Sequence, residues 1–109
     1  MSLTVVCLCA DWCTTCQGYR AIFDQQAGQR PDDRFVWLDI EDHAEALGSL
    51  DIVNFPTILI RLPQGEVAFA GTVLPQGDAL RRLCLAAENG TLQPPADLEA
   101  SWFELAAHI

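Results

Sequence analysis

The chain has 109 residues, enough for one domain with its own core and too few for two. Half of the residues are apolar and 19% are charged, a globular balance, and fifteen acidic residues against six basic ones leave a formal charge of −9. A chain of that sign is repelled by a phosphate backbone and by an anionic bilayer surface, so neither a nucleic-acid nor a membrane partner is expected; nor does the sequence contain an apolar run of about 18 residues that could cross a bilayer.

In chain order, Leu3 to Cys9 is apolar and rich in β-branched residues, which predicts a buried strand. The residues before it lack a positively charged leader, so the segment reads as a strand and not a signal peptide, and the expected compartment is the cytoplasm. Cys13 to about Ala27 suits a helix, with Tyr19, Ile22, Phe23 and Gln26 at helical spacing and Gly28 as a stop. Arg34 to Ile40 is the next strand, and Asp42 to about Leu50 a short helix. Pro56–Leu62 and Glu66–Ala70 flank Pro63-Gln64-Gly65, a turn signal that makes them an antiparallel hairpin. Pro75 to about Glu88 is amphipathic, carries Ala79, Leu80, Leu83 and Ala87 on one face, and is followed by Gly90. After Pro94-Pro95, the residues Leu98, Trp102, Leu105 and Ile109 form a narrow apolar stripe on a tail helix. The organisation is one domain over 1–109, with a core at about 3–90 and a helical extension at 94–109.

Chemistry concentrates in the cysteines. Four of the five, Cys7, Cys9, Cys13 and Cys16, fall within ten residues, too close together to staple the long loops of a secreted scaffold. Local clustering points to redox or metal chemistry. Trp12-Cys13-Thr14-Thr15-Cys16 follows a strand and opens a helix. A thiol at that position meets unsatisfied backbone N–H groups and the positive end of the helix dipole, both of which favour the nucleophilic thiolate. Cys16 lies one turn on and deeper, placed to displace whatever Cys13 captures. A C-x-x-C pair can also be half of a zinc site, but no second such pair or His-x-His completes one, and no metal is expected. Cys7 and Cys9 alternate along one strand and so share a face. They read as two small buried hydrophobes, or as auxiliary thiols with Cys7 within reach of Cys16. Cys84 reads as helix packing, and His43 and His108 as surface residues. Trp37 reads as core or edge packing.

These residues resemble the thioredoxin family. Ala10-Asp11-Trp12-Cys13-Thr14-Thr15-Cys16 looks like that family's active-site segment, Asn54-Phe55-Pro56-Thr57 like its cis-proline loop, and Ala70-Gly71 like the glycine after its last strand. The resemblance covers about residues 3–90. It implies an α/β, three-layer fold with a roughly four-stranded mixed sheet flanked by helices. It further implies Cys13 as nucleophile, Cys16 as resolving thiol, a redox-active Cys13–Cys16 disulfide with no other cofactor, and Pro56 in cis. The backbone of Phe55 would pair with a substrate peptide, while Trp12, Gly71 and Val73 line an apolar docking rim. The implied partners are protein thiols and disulfides, together with an external reductant.

The departures from the family are specific. Only a few residues precede the active-site strand, where the family has a further strand and helix. The strand Arg34–Ile40 is thereby left at a sheet edge, which the tail helix covers or a second chain pairs with, the latter giving a homodimer through that edge or the tail helix. Cys7 stands where many thioredoxins carry a buried aspartate, and Trp37 where that aspartate's lysine would be. Three functions compete: a thiol–disulfide oxidoreductase, a non-catalytic binding module that keeps the groove, and a thiolate metal site built on Cys7, Cys9, Cys13 and Cys16.

Overall fold

The structure is a computed structural model that describes residues 2–42, 44–47, 52, 54–92 and 100–109. Its elements run β1 (Thr4–Cys9), α1 (Thr14–Gln29), β2 (Arg34–Asp39), α2 (Ala44–Leu47), β3 (Thr57–Arg61), β4 (Val67–Thr72), α3 (Gly77–Asn89) and α4 (Ala100–His108). The four strands form one mixed sheet in the order β2-β1-β3-β4. β1 pairs with β2 in parallel and with β3 antiparallel, and β3 pairs antiparallel with β4. A parallel neighbour needs a crossover, which α1 supplies, whereas β3 and β4 are joined by a tight turn. Gly65 in that turn has φ 103°, a conformation that side chains resist.

β1 is buried along its whole length because helices cover both of its faces. Its odd positions Val5, Cys7 and Cys9 join Ile58 and Ile60 of β3 in packing against Tyr19 and Phe23 of α1 and Leu80, Cys84 and Ala87 of α3. The even positions Val6 and Leu8 join Leu59 and Val67 under Leu47 of α2 and Leu105 and Ala106 of α4. The layers are therefore α1 with α3, the sheet, and α2 with α4. α3 ends at Gly90, whose φ of 71° lets its N–H and that of Thr91 close on the last carbonyls of the helix.

The tail helix packs on its own domain, but not where the bare sheet edge suggested. It does not run along the β2 edge; it lies over the second face of the sheet. Leu105 is fully buried and Trp102 partly so. The reason is area: an uncovered face exposes several large apolar side chains, an uncovered edge mainly backbone groups. Arg61 of β3 ties the helix down, donating through Nη1 to the Ala106 carbonyl and through Nη2 to Thr4 Oγ1 (3.3 Å). Arg34 Nη1 donates to the Ile109 carbonyl at 2.6 Å. Leu98, the first residue of the stripe, and His43 lie outside the described residues. α1 begins at Thr14, one residue later than predicted, and runs past Gly28 to Gln29.

Candidate functional site: a cysteine cluster between β1 and α1

The segment linking β1 to α1 is fixed by backbone bonds at both ends. The Cys13 N–H donates to the Ala10 carbonyl at 3.0 Å, and the Cys13 carbonyl accepts the Gln17 N–H at 3.1 Å. Cys13 is thus the N-cap of α1, in extended conformation (φ −85°, ψ 120°), with no side-chain hydrogen bond to the helix. The first-turn amides lack intrahelical partners by construction of a helix, and Cys13, at the N-cap, stands at the positive end of the helix dipole. Its thiol is free and partly exposed, whereas Cys16 is buried.

Asp39, at the end of β2 and opposite Cys9 in register, holds the shoulder of this segment. Its carboxylate accepts the Asp11 N–H at 3.1 Å and the Glu41 N–H at 2.8 Å. Burial works against that charge, but the Glu41 and Asp11 bonds outweigh it and hold Asp39 below the usual carboxylate range. Asp11 is pushed the other way, by its side-chain hydrogen bond to Asp39 and then by the charge of Asp39. Glu41 in turn accepts the Trp12 Nε1–H at 2.9 Å. Trp12 stays 64% exposed, with its ring set edge-on to Phe55 at 5.6 Å between centroids.

The Phe55–Pro56 bond is cis, and Pro56 is fully buried. The Pro56 carbonyl accepts the Val73 N–H at 3.1 Å, which joins this loop to the end of β4. Trp12, Cys13, Phe55, Pro56 and Val73 are therefore gathered by direct contacts or by shared packing on one core. Gly71 sits on β4 opposite Ile58, and a Cβ there would meet only the Phe69 ring at 3.5 Å.

The disulfide is not the one expected. Cys16 is bonded to Cys9, with 5.7 Å between the Cα atoms, and Cys13 is left as a thiol. The expected Cys13–Cys16 bridge is replaced because Cys9 is the last residue of β1, its side chain on the α1 face and directly beside the buried Cys16. Cys7, the other strand cysteine expected near Cys16, is not the one bonded to it. Both strand cysteines share the face, but Cys9 is two residues nearer the start of α1. Cys7 reaches Cys9 instead, at 3.6 Å between sulfurs. Two of the four sulfurs that a thiolate metal site would need are thus bonded to each other, and no group of three or more metal-ligating side chains occurs among the described residues.

Beneath the cluster, burial pushes the Cys7 thiol from 9.0 up to about 12, with Arg20 offsetting a little, and the Cys84 thiol up to about 11. Burial also raises the Tyr19 phenol, and its hydroxyl has no hydrogen-bond partner among the described residues. Because the unfolded chain releases these thiol protons near pH 9 while the folded chain keeps them, stability falls as pH rises from about 9 toward 12. Denaturation of the reduced protein across that range should show this decline. Cys7→Ala should flatten it more than Cys84→Ala, and equal slopes in all three proteins would refute the assignment.

Beside Cys16, Ala10, Asp11, Gln17, Arg20 and Trp37 line a cleft of about 260 Å³, with the Arg20 guanidinium 4.8 Å from the Trp37 ring centre. A larger cleft of about 510 Å³ lies at the other end of the strands, around Leu3, Arg34, Arg61 and Pro63, and contains no sulfur.

Comparison with known proteins now places the chain. The family model described as Thioredoxin matches residues 1–80. The chain belongs to the thioredoxin family. Among solved structures it is similar to the thioredoxin of Fasciola hepatica, at 21% identity and a TM-score of 0.69 over 79% of this chain and 81% of that one. The thioredoxin of Trypanosoma brucei brucei matches at 21% identity and a TM-score of 0.68, over 80% and 75%. One from Nicotiana alata matches at 25% and 0.68, over 78% and 72%. No curated protein matches the sequence. As a thioredoxin-family fold, the mixed four-stranded sheet is as expected; Cys9, expected as a packing residue or an auxiliary thiol, is the one bonded to Cys16, and Asp39 and Glu41 are site residues that the sequence did not point to. The roles of Asp39 and Glu41 depend on strand register and carry no local signal.

Proposed function

We propose that the protein is a thiol–disulfide oxidoreductase acting on protein disulfides, with Cys13 as the attacking thiol and Cys16 as the resolving one. The observation that supports this is the partly exposed Cys13 thiol at the N-cap of α1, set beside a buried Cys16 and under the Trp12–Phe55 rim. In the fully reduced chain the Cys13 thiolate attacks a substrate disulfide. A Cys13–substrate bond forms, and one substrate sulfur leaves as a thiolate and takes up a proton. Cys16 then attacks the Cys13 sulfur, releasing the second substrate thiol and leaving a Cys13–Cys16 disulfide. An external dithiol supplies the two electrons and two protons that restore the reduced pair. Trp12, the Phe55 backbone, Pro56 and Gly71 form the groove for the peptide.

One observation favours a second reading, a holding module. While Cys16 is tied to Cys9, Cys13 has no resolving partner and a captured protein stays bound. Insulin reduction by dithiothreitol separates the two. The oxidoreductase accelerates precipitation of the insulin B chain in catalytic amounts; precipitation at the rate of dithiothreitol alone refutes the first reading.

A further inference from the structure

Cys16 stands between two sulfurs. Cys13 is one helical turn before it at the surface, and Cys9 is bonded to it from the strand side, both sulfurs of that bond being buried. Cys7 adds a fourth sulfur 3.6 Å from that of Cys9, and with Cys9 in a disulfide the Cys7 thiol is the donor of that contact. We propose an internal disulfide relay in which the oxidising equivalent enters as Cys13–Cys16 and then moves inward, Cys9 attacking Cys16 to give the buried Cys9–Cys16 bond while the Cys7 thiol donates a hydrogen bond to the sulfur of Cys9. The relay rests on the exchange chemistry proposed above and adds a second step to it.

The step is balanced without any further reagent. Cys9 gives up its proton as its sulfur attacks Cys16, the Cys9–Cys16 bond forms, and the Cys13–Cys16 bond breaks. Cys13 leaves as a thiolate and takes up a proton. One disulfide and one thiol exist before and after, so no external oxidant or reductant takes part. The proton reaches Cys13 through solvent, which meets its partly exposed side chain and enters the 260 Å³ cleft against Cys16. Burial keeps Cys7 protonated at neutral pH, so that it acts as a donor and does not compete as a nucleophile. A hydrogen bond to the Cys9 thiolate is strongest when that sulfur carries full charge, and so favours its formation in an otherwise apolar core.

The sequence offers a direct readout. Cleavage before Asp11 and Asp24 separates Cys7 and Cys9, in 1–10, from Cys13 and Cys16, in 11–23. The reduced full-length protein is mixed with one equivalent of oxidised glutathione, quenched with acid at intervals, alkylated, digested and weighed. The expected course is an early bridge within 11–23 that gives way to a covalent link between 1–10 and 11–23, with Cys13 newly alkylated. Cys13→Ser should prevent rapid appearance of that link. Cys7→Ala should slow the second step about three- to tenfold, and Cys7→Ser, which keeps a donor, should restore most of the rate. A bridge that remains within 11–23, in a protein that does reduce insulin, overturns the relay and leaves the exchange function standing. A link that forms in Cys13→Ser at the wild-type rate also overturns it. Equal second-step rates in wild type and Cys7→Ala overturn the role of Cys7. If Cys13 joins no disulfide at any time and insulin is not reduced, both the relay and the oxidoreductase reading fall.

Discussion

Cys13→Ser is expected to bring insulin reduction down to the rate of dithiothreitol alone and, at the same time, to make the reduced protein slightly more stable. The first effect follows from chemistry, because an alkoxide is not formed at neutral pH and oxygen does not exchange into a disulfide as sulfur does. The second follows from position. Cys13 is the N-cap of α1 and makes no side-chain cap bond, and serine is among the residues preferred there because its hydroxyl oxygen accepts a first-turn N–H. The gain should be about 0.5–1 kcal/mol, read from denaturant midpoints of the two reduced proteins. Catalysis and stability thus move in opposite directions at one residue, as expected when a local preference is given up for function. Cys16→Ser should instead leave capture intact and let the mixed disulfide accumulate. A Cys13→Ser protein that still accelerates insulin reduction would remove Cys13 from the reaction.

Leu105→Ala should cost about 2–5 kcal/mol, a large share of the ~5–15 kcal/mol that holds a domain of this size together. Leu105 is fully buried in the cluster under α4, where it packs with Val6, Leu8, Leu59 and Val67 of the sheet. Removing its side chain leaves a cavity against a sheet that cannot collapse to fill it. Phe103, two residues earlier and 51% exposed, provides the control: Phe103→Ala should shift stability by no more than about 0.5 kcal/mol. Deleting residues 94–109 should go further than either substitution, since it uncovers the part of the apolar face that α4 covers and frees Arg61 from the Ala106 carbonyl. Unfolding at lower denaturant, with association through the bared face, is the expected result. A truncated chain with unchanged midpoint and unchanged oligomeric state would show that α4 contributes nothing to the core.

The elements that the sequence displayed best are those whose pattern is local. β1 showed itself as a continuous apolar run, the hairpin through Pro63-Gln64-Gly65, and α3 through a stripe that ends at Gly90. The Trp12–Cys16 segment and the Phe55-Pro56 loop were visible as motifs, although nothing in their composition says that they meet; packing of Trp12 on Phe55 does that. What stayed hidden depends on register and on competition between neighbours. Alternation put Cys7 and Cys9 on one face but did not say which would reach Cys16, a matter of where α1 enters relative to the end of β1. Asp39 looked like an ordinary acidic residue at a strand end until pairing set it opposite Cys9, beside the Asp11 and Glu41 amides. The apolar stripe of the tail was legible, but the surface it meets was not, because an edge and a face ask for the same kind of helix.

The arginines carry a consequence for recognition. All six are engaged within the molecule: Arg20 with Asp24, Arg30 with Asp33 and Glu88, Arg34 and Arg61 with tail carbonyls, and Arg81 and Arg82 with Asp78. With its cations drawn into internal pairs, the protein presents Asp11, Glu41 and Asp42 around the exposed indole as an acidic collar. For the function proposed above, such a collar is expected to steer proteins with basic flanks toward the groove and to slow acidic ones at long range. Its influence fades as ionic strength rises and the screening length contracts to about 8 Å or less. Selectivity in the proposed exchange is therefore expected to be exerted partly in the approach, before any sulfur is touched.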